Sequence, residues 1–97
     1  MAHEDFVSEI VAERTARNPS FPDLVEAAIE RRRLLRALAE DRESSGLSQT
    51  LVAARMNTSQ SAVARIESGQ ADIKLSTLER YAAALGKRVK WQLVDAR

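Results

Sequence analysis

The sequence predicts a mainly helical, all-α bundle followed by one C-terminal β-strand. Three observations lead there. Apolar residues recur at three- and four-residue spacing through most of the chain, the breaks between these stretches hold Gly, Pro, Asn and Ser, and only the last residues change to strict alternation. At 97 residues the chain fits one domain whose modest core would gain from dimerisation.

The elements follow in order. From Ala2 to Arg17, Phe6, Val7, Ile10 and Val11 form a stripe with acids around it, which predicts a short amphipathic helix. Asn18-Pro19-Ser20-Phe21-Pro22 breaks it, because proline removes amide donors and pushes the preceding residue out of the helical region. Residues 1–22 are therefore expected to be an acidic helix and linker. From Asp23 to about Ser44 there is neither Gly nor Pro. Leu24, Ala28, Leu35 and Leu38 line one side of this long helix, with Val25 and Ile29 beside them. Arg31, Arg32, Arg33 and Arg36 spread around its axis as a solvated flank. Gly46 suits a helix end, and Ser48 caps a helix from Gln49 to Met56. Asn57 tolerates the left-handed geometry of a tight turn, and Thr58 is placed to cap a helix that starts at Ser59 and stops at Gly69. Ser76 and Glu79 have the spacing of a capping box, opening a helix with Leu78, Tyr81, Ala82 and Leu85 on its apolar side. Gly86 closes it, so residues 23–86 form the main helical domain. In residues 87–97, Val89, Trp91 and Leu93 alternate with Arg88, Lys90 and Gln92. That is the period of a half-buried strand. With no second strand in the sequence, its natural partner is another chain, making Val89, Trp91 and Leu93 the expected dimer interface.

Charge is divided along the chain. Residues 1–30 hold seven acids (Glu4, Asp5, Glu9, Glu13, Asp23, Glu26, Glu30) against two bases (Arg14, Arg17), a net −5, whereas the remaining 13 bases and 7 acids give +6. A basic body suits a polyanion, and an acidic segment suits a basic protein. There are no cysteines, which excludes disulfides and thiolate metal sites. No apolar stretch approaches the roughly 20 residues needed to span a bilayer, and the acidic start is unlike a signal peptide. A soluble, cytoplasmic protein is expected. His3 stands alone near a terminus, and Ser44-Ser45-Gly46 has no neighbouring base. No catalytic, metal or cofactor site is therefore expected. The spacing of Tyr81 and Trp91 places them in a core or interface rather than in base stacking.

The stretch Leu47–Gly69 reads as a helix-turn-helix. Two short helices cross closely where a small residue, Ala53, sits at the contact, while Leu47, Val52, Met56, Val63 and Ile66 fill the space beneath. Ser59, Gln60, Ser61, Ala62 and Arg65 then lie on the outer face of the later helix. Glutamine pairs with adenine at two points, arginine with guanine, serine with either, and the alanine methyl with thymine. This chemistry favours double-stranded DNA over a pure protein-interaction module.

Residues from about Leu34 to Leu85 resemble the Cro and phage-repressor helix-turn-helix family, also called the xenobiotic response element family. The resemblance lies in Leu47-Ser48-Gln49, Ala53, the turn, Gln60-Ser61, Ile66-Glu67-Ser68-Gly69 and the later Leu78-Glu79-Arg80-Tyr81-Ala82-Ala83-Ala84-Leu85-Gly86. It implies a repressor-like bundle with an N-terminal extension. It also implies a phosphate contact from Gln49, base contacts from Gln60 and Arg65, base or phosphate contacts from Ser59 and Ser61, and a buried ion pair between Arg42 and Glu67. Leu51 departs from the family, which usually has a polar residue there. The N-terminal helix, the Arg-rich long helix and the final strand further resemble HigA-type antitoxins. That likeness implies a bacterial, nucleoid-associated homodimer that represses its own operon at an inverted repeat. It also implies a small, basic, RelE-like ribonuclease toxin as partner, held by Phe6, Val7, Ile10 and Val11. A stand-alone regulator without a toxin is the alternative.

Overall fold

The computed structural model describes residues 2–17, 19–69 and 72–96, apart from the side chains at positions 2–7, 11 and 14. The described residues form helices α1 (Ala2–Arg17), α2 (Phe21–Ser44), α3 (Gln49–Arg55), α4 (Gln60–Ser68) and α5 (Leu75–Ala84). They divide into two units, residues 1–30 with 96–97 and residues 31–95, and the boundary falls inside α2. None of the described helices is long and apolar enough to cross a membrane.

In the first unit α1 has the bounds its periodicity predicts. Of its apolar stripe, the side chains of Phe6, Val7 and Val11 lie outside the described residues, and Ile10 is half-buried. The ion pair between Glu13 and Arg17 (2.8 Å) is exposed and contributes at most about 0.5 kcal/mol. The break is shorter than expected. Residues 18–20 separate the helices, with Pro19 and Ser20 in a turn, and the Ser20 carbonyl already accepts the Leu24 amide (3.2 Å). Pro22 sits in the first turn of α2, where its missing N–H has no helical partner to lose. Along α2 the expected apolar side is only partly covered: Val25 and Ala28 are half-buried, whereas Leu24 and Ile29 are exposed.

The second unit has one core. Leu35 and Leu38 from α2 meet Val52, Ala53 and Met56 of α3, Val63 and Ile66 of α4, and Leu78, Tyr81, Ala82 and Ala84 of α5. Ala53 is the small residue at the close crossing. Its carbonyl accepts the Thr58 amide (2.9 Å) while the Ala54 carbonyl accepts that of Asn57 (3.1 Å). Asn57 takes φ +55, so α3 ends in a Schellman motif that turns the chain directly into α4. Arg80 of α5 donates to the Met56 carbonyl (2.6 Å) at the end of α3, and Arg55 of α3 donates to the Ala84 carbonyl (2.9 Å) at the end of α5. Each guanidinium thus satisfies a terminal acceptor of the other helix.

Three expectations are corrected. The cap of α4 is Ser59, whose hydroxyl accepts from the Ala62 amide (3.1 Å), so the helix starts one residue later than the Thr58 cap predicted. The capping box at Ser76 and Glu79 does not form. Lys74 is the cap of α5 without a side-chain bond, and Glu79 instead accepts from the Trp91 indole (3.2 Å). Finally, no strand is present among the described residues, and residues 87–96 have no regular structure. An extended segment becomes a strand only when a second backbone faces it, and a single chain offers none here. Of the expected interface residues, Val89 packs against the core, whereas Trp91 and Leu93 are 51% and 100% exposed.

Gly69 caps α4 with φ +66, and a Cβ placed there would lie 3.3 Å from Arg32 Cγ, whereas one at Gly46 would meet nothing within 4 Å. The left-handed conformation alone costs a non-glycine residue about 1–2 kcal/mol. Gly69→Ala is expected to destabilise the fold by at least that amount, and by more than Gly46→Ala, in paired urea denaturation curves.

Candidate nucleic-acid interface

Two short helices present the site. Ser48 caps α3, its hydroxyl accepting the Leu51 amide (3.0 Å), and Ser59 caps α4. In α4, Val63 and Ile66 turn into the core, which leaves Gln60, Ser61 and Arg65 outside it, with Gln60 and Ser61 exposed and Ala62 half-buried. Ser59 is exposed but occupied: besides its capping bond, its hydroxyl lies 3.1 Å from that of Ser61. Thr58, Ser61, Ala62 and Arg65 line one side of an open groove, with Lys74 and Thr77 across it. Leu51, the position that departs from the expected pattern, is 42% exposed.

Beneath this face lies a buried carboxylate. Arg42 donates to Glu67 at two points, Nε to Oε2 (2.6 Å) and Nη2 to Oε1 (3.0 Å), with both side chains under 10% exposed. Its Nη1 donates to the Leu47 carbonyl (2.8 Å), tying the end of α2 to the start of the helix pair. Tyr81, fully buried, donates to Oε2 (2.6 Å), and the Gln49 amide donates to Oε1 (2.8 Å). The Gln60 amide in turn donates to Gln49 Oε1 (2.5 Å). Residues from α2, α3, α4 and α5 therefore converge on one anion, and a hydrogen-bonded path leads from it to the outer face of α4.

The protonation states follow from these contacts. Burial works to raise the Glu67 pKa and is the largest single influence, but the bonds from Arg42, Tyr81 and Gln49 together outweigh it and hold the carboxyl below its ordinary value. The bond to Glu67 raises Arg42 against the opposing effect of burial. Burial, and then donation to Glu67, pushes the Tyr81 phenol well above its usual range, so it remains a donor.

The ion pair implied between Arg42 and Glu67 is present, and Gln49 and Gln60 are joined to it. Tyr81, expected in a core or interface, is a further member of the cluster. A signal existed in the sequence, because a buried phenol needs an acceptor. Lys74 and Thr77 gave no such signal, since only the packing of the helices brings them to the groove.

Because the folded Glu67 titrates below its unfolded counterpart near 4.5, its contribution to stability is present above that pH and disappears as the pH falls through the folded value. Thermal melts are expected to drop on acidification from about pH 5 to pH 3, and Glu67→Gln is expected to flatten that dependence. Arg42→Met, which leaves a buried charge uncompensated, is expected to cost about 3–5 kcal/mol near neutral pH, measured by the same melts.

Residues 38–92 match the family described as Helix-turn-helix. Among curated proteins, Antitoxin HigA1 of Mycobacterium tuberculosis, from strain CDC 1551 / Oshkosh and from strain ATCC 25618 / H37Rv, is 44% identical over 86 residues, which is 89% of this chain. The chain spans 58% of the length of those relatives. No solved structure matches the chain significantly. With more than half its length in the family match, and with the capped helix pair and buried arginine–carboxylate bridge described above, the chain belongs to the Cro and phage-repressor type of helix-turn-helix protein.

Proposed function

We propose that the chain is a sequence-specific DNA-binding repressor and the antitoxin of a toxin–antitoxin pair. The observation that carries the first part is the orientation of α4: Gln60 and Arg65 face outward while Val63 and Ile66 are buried. An amide and a guanidinium on the outer side of a braced helix suit the edges of adenine and guanine in the major groove. Ser61 and Ala62 lie beside them, and Ser59, whose hydroxyl caps the helix, is suited to phosphate more than to bases. Lys74 and Thr77 across the groove suit the adjoining phosphates. The second part rests on the likeness to Antitoxin HigA1 and on the acidic residues 1–30, whose charge complements a small basic ribonuclease of the RelE kind. Phe6, Val7, Ile10 and Val11 would supply the apolar contacts, and the repressor would act on its own operon in the bacterial cytoplasm.

Such repressors act as two-fold dimers on inverted repeats, with half-sites about 34–36 Å apart for successive major grooves. The C-terminal segment supports a dimer through its pattern. An antiparallel pairing of two copies centred on Trp91 would set Val89 opposite Leu93 of the partner subunit and Lys87 opposite Asp95 of the partner subunit, apolar against apolar and cation against anion. It would also cover Leu93 and provide the ladder that one chain lacks.

Gln60→Ala and Arg65→Ala are each expected to weaken binding to the inverted repeat upstream of the gene by about 1–3 kcal/mol, with little change on scrambled duplex; equal losses on both DNAs in a gel-shift titration would refute base reading. Deleting residues 1–22 is expected to leave operator binding intact and to weaken rescue of cells from the toxin. A deletion that abolishes operator binding would overturn this division of labour, and a neighbouring gene that encodes no small basic protein would favour a stand-alone regulator.

A further inference from the structure

We propose that Arg55 and Arg80 hold a backbone phosphate of DNA in the cleft between the ends of α3 and α5, outside the groove lined by α4; this rests on the reading of the chain as a DNA-binding protein. Both side chains line this open cleft, together with Met56, Asn57, Ala83 and Gly86. Each guanidinium is fixed by one bond to the end of the other helix, Arg55 to the Ala84 carbonyl (2.9 Å) and Arg80 to the Met56 carbonyl (2.6 Å). A guanidinium carries several more N–H donors in a planar fork, and these remain for another acceptor. No acid of the chain supplies one. Among the described residues neither arginine lies within ion-pair distance of a carboxylate, and Glu79, which precedes Arg80, accepts from Trp91 (3.2 Å). Two like charges fixed in one cleft repel each other, and an oxyanion between them replaces that repulsion with attraction. Arginine forks fit the oxygens of a phosphate in particular.

The phosphate is assigned to DNA because the cleft is continuous with the groove. Arg80 and Met56 line both. Lys74, Thr77 and Arg80 follow one another at three-residue spacing, which sets them along one side of α5. A strand lying against Lys74 and Thr77 is thereby led on to Arg80, with Arg55 of α3 the outermost cation of the row. The acid of the groove, Asp72, faces Arg31 (3.6 Å). Phosphate contacts carry no sequence information, so the cleft adds affinity and lengthens the footprint without choosing bases.

The test replaces the phosphates of the operator, one at a time, by uncharged methylphosphonates and titrates each duplex with the full chain. At one phosphate in each half-site, neutralisation is expected to weaken the wild-type chain by about 10-fold and to leave the already weaker Arg55→Gln unaffected. Arg55→Lys, which keeps the charge, is expected to regain the sensitivity. If no phosphate is silenced in Arg55→Gln while the operator is still preferred to scrambled duplex, the cleft assignment falls and base reading stands. If instead every duplex binds alike, base reading falls and the cleft is judged by salt. The slope of log K against log salt concentration is then expected to be shallower by about 0.9 per protomer in Arg55→Gln, but not in Arg36→Gln, which removes an exposed charge from α2; equal slopes in Arg55→Gln and wild type overturn the cleft. Should Arg55→Gln fail to fold, the wild-type chain decides by NMR. The Nε–H signals of Arg55 and Arg80 are expected to shift when DNA is added. An Arg55 signal that stays in place overturns the proposal, as does a shift produced by inorganic phosphate and not by DNA, which would make the cleft a small-anion site.

Discussion

A single buried negative charge organises the helix-turn-helix unit. Isolated, the Glu67 carboxylate would be intolerable in a core that contains Tyr81, Val63 and Ile66. It is kept ionised because Arg42, Tyr81 and Gln49 direct four hydrogen bonds at its two oxygens. Such a bridge adds little net stability over a well-packed apolar substitute, since desolvating both partners offsets much of their attraction. Its value lies in geometry. Donors on three other helices must come within hydrogen-bonding distance of one group on α4, and a rotation of α4 breaks several of these bonds at once.

The same demand for placement explains why so much of the unit is built from helix ends. α3 spans seven residues and α4 nine, too short to hold together alone. Ser48 and Ser59 satisfy amides at their starts, and a left-handed Asn57 satisfies carbonyls in the turn between them. Precision in the exposed face of α4 comes from these local bonds together with Val63 and Ile66 beneath it. The change of charge sign and the boundary between the two units both fall within α2.

Much of this is legible in the residues alone because short-range patterns govern it. The bounds of α1 and the capping of α3 by Ser48 follow from spacing and residue type, and so does the burial of Val52, Ala53, Met56, Val63 and Ile66. Apart from the one-residue shift of the α4 cap from Thr58 to Ser59, the departures from expectation involve partners distant in sequence. The Ser76–Glu79 spacing fits a capping box, yet Glu79 meets Trp91 instead. Leu24 and Ile29 fit an apolar stripe, but helical periodicity does not say how far along α2 the core extends. The alternation from Val89 to Leu93 is genuine, but strand formation belongs to a pair of segments and one segment cannot display it. The path from Glu67 to Gln60 is legible only in part: the family pattern implies its link with Arg42, while the bonds made by Tyr81, Gln49 and Gln60 arise only when the helices pack.

The crossed arginines bear on cooperativity. Since Arg55, the last residue of α3, closes the far end of α5 and Arg80 of α5 closes the far end of α3, melting either helix also removes a bond that closes the other. Partial opening is thereby penalised twice, and intermediates with one helix melted and its neighbour intact become scarce. The unit is built to behave as an all-or-none object, so its surface helix is either fully shaped or absent, with few half-formed versions to bind weakly at the wrong places.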